Sequence, residues 1–147
     1  MIAYIDSSVL ARALLSDEAG STEVRRLLAD RSVAKYTGRW TRIEVSAAIV
    51  RAARAGRPVI QADALARLDA DLRSGGRINV VDAPTEEVEA KALTLAREHG
   101  LRALDALHVA LASIAIPKLA DKGEPIGFAS RDGGQATVAE SLGFAAV

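Results

Sequence analysis

The chain opens with Met1-Ile2-Ala3-Tyr4-Ile5-Asp6-Ser7-Ser8, a short apolar run closed by an acid and two hydroxyl residues. The run reads as a strand, and Asp-Ser-Ser behind it reads as the start of a helix. The same handover recurs along the chain. Ile126-Gly127-Phe128-Ala129-Ser130 precedes Asp132 and a helix-like segment from Gln135 to Leu142. Val33 to Thr37, ended by Gly38, is followed by Glu44 on a helix-like run from Thr41 to Ala55. Asp105 stands near the start of the almost wholly apolar run Ala103 to Ile116.

The intervening segments complete an alternation of strands and helices. Ser8 to Leu15 and Ser21 to Ala29 read as helices, the second with Val24, Leu27 and Leu28 on one side. Val59 to Ser74 reads as a helix closed by Gly75-Gly76, Ile78 to Val81 as a third strand, and Pro84-Thr85-Glu86-Glu87 as the acidic first turn of a helix reaching His99. Phe144 to Val147 is a possible edge strand. The helix from Ala103 is expected to end near Ile116, because Pro117 disfavours helical geometry in its predecessor. Alternation without hairpin signals predicts a single α/β domain over residues 1–147, a parallel sheet sandwiched between helices. Ligands of such sheets bind beyond the carboxyl ends of the strands, where Asp6, Glu44, Asp105 and Asp132 are expected to converge.

At 147 residues the chain suits one domain, and half of its residues are hydrophobic, which argues against disorder. The absence of cysteine excludes disulfides and thiolate metal sites and suits a reducing cytoplasm, and two histidines make a zinc site hard to build. No signal peptide is visible, and Ala103 to Ile116 falls short of the ~20 apolar residues a membrane span requires. Formal net charge is zero, so no global field draws in nucleic acid, although 15 of the 19 basic residues are Arg, the better phosphate fork.

Each acid has a purely structural explanation. Asp6 and Asp132 could cap the helices that follow them, and Thr41-Arg42-Ile43-Glu44 fits a capping box. Asp105 resists this reading best. Only Asp105, His108 and Ser113 are polar between Ala103 and Ile116, so the helix is expected to be buried. A buried carboxylate needs a partner, and a cation shared with Asp6 is the simplest. Four converging carboxylates oppose folding unless a metal neutralises them, and an oxygen-only set favours Mg²⁺ or Mn²⁺. His108 is expected to be a packed core histidine. Ser8 and Ser130 are candidates to orient a carboxylate or a water, and Arg39, Arg42 and Arg131 to contact phosphate.

Tyr4-Ile5-Asp6-Ser7-Ser8, Thr41-Arg42-Ile43-Glu44, Leu104-Asp105-Ala106-Leu107-His108 and Ser130-Arg131-Asp132 together resemble the PIN-domain ribonucleases, in particular the VapC-type toxins of toxin–antitoxin pairs. The resemblance implies Mg²⁺- or Mn²⁺-dependent endonucleolytic cleavage of RNA, with Asp6, Glu44, Asp105 and Asp132 in the acidic positions and the metal held by Asp6 and Asp105. It also implies a homodimer and a small antitoxin that blocks the site. The stretch from Ser113 to Pro125 is long for this pattern and could displace Asp132. A PIN nuclease with a housekeeping RNA or DNA substrate, or a non-catalytic interaction module, would share the fold. The module's expected sign, a missing acid, is not found. A receiver-like signalling domain could use Asp82 as its acceptor, but it lacks the Lys required after Ile126 to Ser130.

Overall fold

The computed structural model describes residues 1–15 and 19–147. Five strands, β1 (Ile2–Ile5), β2 (Ala34–Gly38), β3 (Asn79–Val81), β4 (Ile126–Ala129) and β5 (Ala145–Ala146), form one sheet in the order β3-β2-β1-β4-β5. Every pairing is parallel, with Tyr4 opposite Tyr36 on one side and Phe128 on the other. The α/β architecture expected from the alternation is therefore the one observed. From β1 the chain builds β2 and β3 on one side and then crosses to β4 and β5 on the other. That reversal of strand order opens a crevice at the carboxyl end of β1.

The sheet separates two apolar cores, and alternation along β1 feeds both. Ala3 and Ile5 face α1 (Ser7–Leu14), α2 (Ser21–Ala29), α3 (Trp40–Arg54) and α4 (Gln61–Leu72), packing with Val9, Leu10, Val24, Leu28, Ile49 and Leu68. Ile2 and Tyr4 face α5 (Thr85–His99), α6 (Ala103–Leu119) and α7 (Gly133–Ser141). Tyr4 stacks on Phe128 with ring centroids 5.4 Å apart. Helix α6 lies between the sheet and both neighbouring helices, which is why its sequence is apolar nearly all round: Val109, Ala110, Leu111, Ala112 and Ile116 have no measurable exposure.

Pro117 does not stop α6, contrary to the expected end near Ile116. The helix continues to Leu119, and Ala120 N–H still closes on Ile116 C=O. Proline removes one amide and disfavours helix in its predecessor, but it falls in the last turn, where the buried residues before it already fix the axis. Only residues 120–125 then remain as a connection to β4, so the long stretch after Ser113 displaces nothing. No helix among the described residues is long and apolar enough to cross a membrane.

Candidate active site

Asp6 leaves the central strand at the crevice and is only 4% exposed at its side chain. Its Oδ2 caps α1, accepting from Ser8 N–H at 3.1 Å and from Ser8 Oγ at 2.6 Å. The capping explanation is thus correct for this residue, but it occupies one oxygen. The other, Oδ1, lies 3.4 Å from Gln135 Nε2 and 3.8 Å from His108 Nε2.

His108 is the hinge between Asp6 and Glu44. Its ring is 1% exposed, and Nε2 lies 2.5 Å from Glu44 Oε2 while Nδ1 lies 2.7 Å from Tyr4 Oη. Burial, and then the Asp6 carboxylate, push the Tyr4 hydroxyl well above its ordinary 10.0, so it keeps its proton. Tyr4 Oη and His108 Nδ1 share one hydrogen bond, and His108 Nε2 and Glu44 Oε2 share another. Gly38 makes this possible, because a Cβ there would stand 2.7 Å from Tyr4 Oη and 2.8 Å from Leu111 Cδ2. The expected capping box is absent: Glu44 turns to His108, and Thr41, fully buried, shares a 2.7 Å hydrogen bond with Thr37, whose hydroxyl also reaches Ile5 C=O at 2.6 Å. Helix α3 begins at Trp40 without a side-chain cap. Tertiary partners outweigh a local cap worth about 1 kcal/mol.

Asp105 corrects a second expectation. It is not a buried carboxylate awaiting a metal, because its side chain is 18% exposed and accepts from Arg102 Nε at 2.7 Å. The first turn of α6 is exposed at Ala103 and Leu104, and Arg102, in extended conformation ahead of the helix, reaches back to Asp105. The same guanidinium reaches Asp132 Oδ2 at 3.3 Å, which brings the two acids together under one cation. Of the four acids, the buried one is Asp6.

Gln135, fully buried, joins what remains. Its Nε2 lies 3.4 Å from Asp6 Oδ1 and 3.2 Å from the Asp105 carbonyl, and its Oε1 accepts from Ser130 Oγ at 2.5 Å. Its backbone N–H donates to Asp132 Oδ1 at 2.9 Å, so Asp132 does cap α7. Ser130 Oγ also accepts from Asp132 N–H at 3.0 Å, and Ser8 Oγ from Arg131 N–H at 3.0 Å. Both serines thus order the loops that carry the acids.

Asp6 and Glu44 therefore meet at His108, Asp105 and Asp132 meet at Arg102, and Gln135 ties the two pairs together. Among the described residues, no three His, Asp or Glu side chains are gathered closely enough to hold one metal ion. The donor set still suits a hard divalent cation in kind. It is built of carboxylate oxygens, and the guanidinium between Asp105 and Asp132 stands where positive charge is already required. Arg39 stacks on Trp40 and reaches Asp82 at 3.3 Å and Thr85 at 3.4 Å, while Arg42 lies 3.4 Å from Asp69. Neither is bonded to the four acids. Sequence reading missed Tyr4, Arg102 and Gln135 and undervalued His108. The sole available signal was that His108 and Gln135 are polar residues on otherwise core-facing helical positions.

The model of the PIN domain matches residues 3–123, a span that contains Asp6, Glu44 and Asp105 but stops short of Asp132. A comparison with curated proteins finds no match. PIN domains are generally nucleases, hydrolases that typically use divalent metal ions. The parallel sheet, the acids at its carboxyl edge and the match across most of its length agree, and this chain belongs to the PIN domain family.

Proposed function

We propose that the protein is a Mg²⁺- or Mn²⁺-dependent endoribonuclease acting as the toxin of a type II toxin–antitoxin pair. The observation that carries the catalytic reading is that Asp6 and Glu44 meet at His108 while Gln135 joins Asp6 to the backbone of Asp105, so that acids from three separate elements share the carboxyl edge of the sheet. Carboxylates at such a density repel one another and destabilise the fold unless a cation or a proton intervenes. Asp6 and Asp105 would hold the ion, which when bound supplies Lewis acidity and positive charge for the phosphodiester.

The chain's own residues prepare that site. Ser8 fixes the Asp6 carboxylate by two hydrogen bonds to Oδ2 and leaves Oδ1 beside Gln135 and His108. His108, held by Tyr4, orients Glu44, which either completes the ligand set or positions the attacking water. Asp132, 41% exposed, is the outermost acid and would serve a second or weaker ion. Arg39, Arg42 and Arg131 would steady the RNA backbone. The four sequence motifs support the toxin reading and with it a cytoplasmic homodimer and a small antitoxin. The excess of carboxylate over cation in the crevice fits an antitoxin tail bearing Arg or Lys.

The test is cleavage of total RNA by the purified protein with Mn²⁺, with Mg²⁺ and in excess chelator, alongside growth on induced expression with and without the small protein encoded beside it. Cleavage only with metal, and arrest relieved by the neighbour, are the expected results. Undiminished cleavage in chelator would refute the metal. Cleavage without arrest would leave a housekeeping nuclease.

A further inference from the structure

Arg102 was not expected to take part in the site, yet it makes the most direct contacts with two of its acids. It sits at the residue before α6, with its side chain 78% exposed. It spends Nε on Asp105 Oδ2 at 2.7 Å and Nη2 on Asp132 Oδ2 at 3.3 Å. We propose, resting on the metal-dependent reading above, that Arg102 is a built-in counter-ion that competes with the divalent cation for Asp105, so that the ion enters by displacing the guanidinium.

The two cations oppose each other at Asp105. Arg102 occupies Oδ2 and leaves Oδ1 open, but a divalent ion there would stand one carboxylate away from the guanidinium, and like charges so close repel. The repulsion is relieved when one of them leaves. Arg102 is the one able to do so, because its charged end lies in solvent and exposed ion pairs are individually weak. It does not belong to the buried network either. Tyr4, His108, Glu44, Asp6 and Gln135 are joined to one another without it. The guanidinium is thus a mobile charge laid across a fixed site. It stabilises the acids while the metal is away and raises the metal concentration needed to fill the site. Its shape matters as well as its charge, since Nε and Nη2 serve two different carboxylates and a lysine ammonium cannot reproduce that fork.

The experiment is calorimetric titration of Mn²⁺ into the RNA-free protein, comparing wild type, Arg102→Ala and Arg102→Lys, with melting temperatures recorded with and without Mn²⁺. Arg102→Ala is expected to bind Mn²⁺ about tenfold more tightly, as partners of metal ligands commonly shift affinity by ~10–100-fold. Its metal-free form should melt lower, and the rise on adding Mn²⁺ should be larger than in wild type. Arg102→Lys keeps the charge without the fork and should resemble Arg102→Ala more than wild type. If Arg102→Lys instead matches wild type while Arg102→Ala tightens, a general field is at work and displacement is refuted. If Arg102→Ala binds equally or more weakly, Arg102 merely fastens α6 to α7. If none of the three proteins binds Mn²⁺, the metal-dependent reading fails and this inference with it.

Discussion

At the amino ends of β2 and β3, one acid and one base answer each other directly. Asp71, with 12% of its side chain exposed, receives both arms of Arg77, Nε on Oδ1 and Nη2 on Oδ2, each at 2.7 Å. The buried Lys35 beside it gives its ammonium to the carbonyls of Asp30 and Val33. At the carboxyl ends of β1 and β4, Asp6, Glu44, Asp105 and Asp132 gather with Arg102 bonded to the last two and with His108 hydrogen-bonded to Glu44. The Asp71–Arg77 pair closes its charges within the chain, and the second arrangement leaves acid in excess. A fold gains nothing from unmatched carboxylates. The surplus lies at the edge where ligands of parallel sheets bind, and it is what the proposed cation would neutralise.

The largest expected effect separates the two edges by substitution. Asp6→Asn should lower RNA cleavage by more than ~100-fold, since even partners of metal ligands cost ~10–100-fold. Asp71→Asn should leave cleavage unchanged while lowering stability by about 1 kcal/mol, because its half-exposed partner Arg77 regains water. Similar losses of activity in both variants, measured on the same RNA with melting curves alongside, would mean that the acids of both edges act only through stability.

A smaller effect tests whether the acid edge depends on the packing behind it. Gly38→Ala places a methyl against Tyr4 Oη and Leu111, two buried groups with little room to move. The expected cost is about 1–3 kcal/mol, or roughly 2–4 °C in melting temperature per kcal/mol. Cleavage should fall further than stability explains, because the methyl displaces the hydroxyl that holds His108. A stable Gly38→Ala protein with full activity would detach the Tyr4–His108–Glu44 chain from function.

The smallest effect is read in alkali. Tyr4 is buried beside acid, and its hydroxyl is held above 10.0 by burial first and the Asp6 carboxylate second. A group whose folded value is raised contributes stability that is complete below its unfolded value and is lost as pH climbs toward the folded one. Stability should therefore decline above pH 10 from this residue, and Tyr4→Phe should flatten that decline while losing about 1 kcal/mol at neutral pH with the hydrogen bond to His108. Denaturant unfolding at several pH values gives the answer. An identical alkaline slope in both proteins would show that Tyr4 ionises without cost.

Much of this molecule was written in local sequence. Short apolar runs ending in an acid announced strands feeding helices, and without hairpin signals such units can only stack as a parallel sheet, so the α/β fold and the edge at which Asp6, Glu44, Asp105 and Asp132 gather were both legible. The end of α6 was misjudged because a proline rule is local, whereas Ile114, Ala115 and Ile116 are fixed by the buried packing around them. The nearly apolar run from Ala103 to Ile116 around Asp105 likewise suggested burial, but whether a first turn is covered depends on what packs over it in the fold. The partners of the acids were beyond reach for the same reason. Tyr4 and His108 lie 104 residues apart, Glu44 and His108 64, and Asp6 and Gln135 129. Sequence spacing determines which face of a helix or strand a residue occupies. Only the crossing of chain segments in the folded protein decides that a core-facing histidine meets one carboxylate, a glutamine another, and a surface arginine two more.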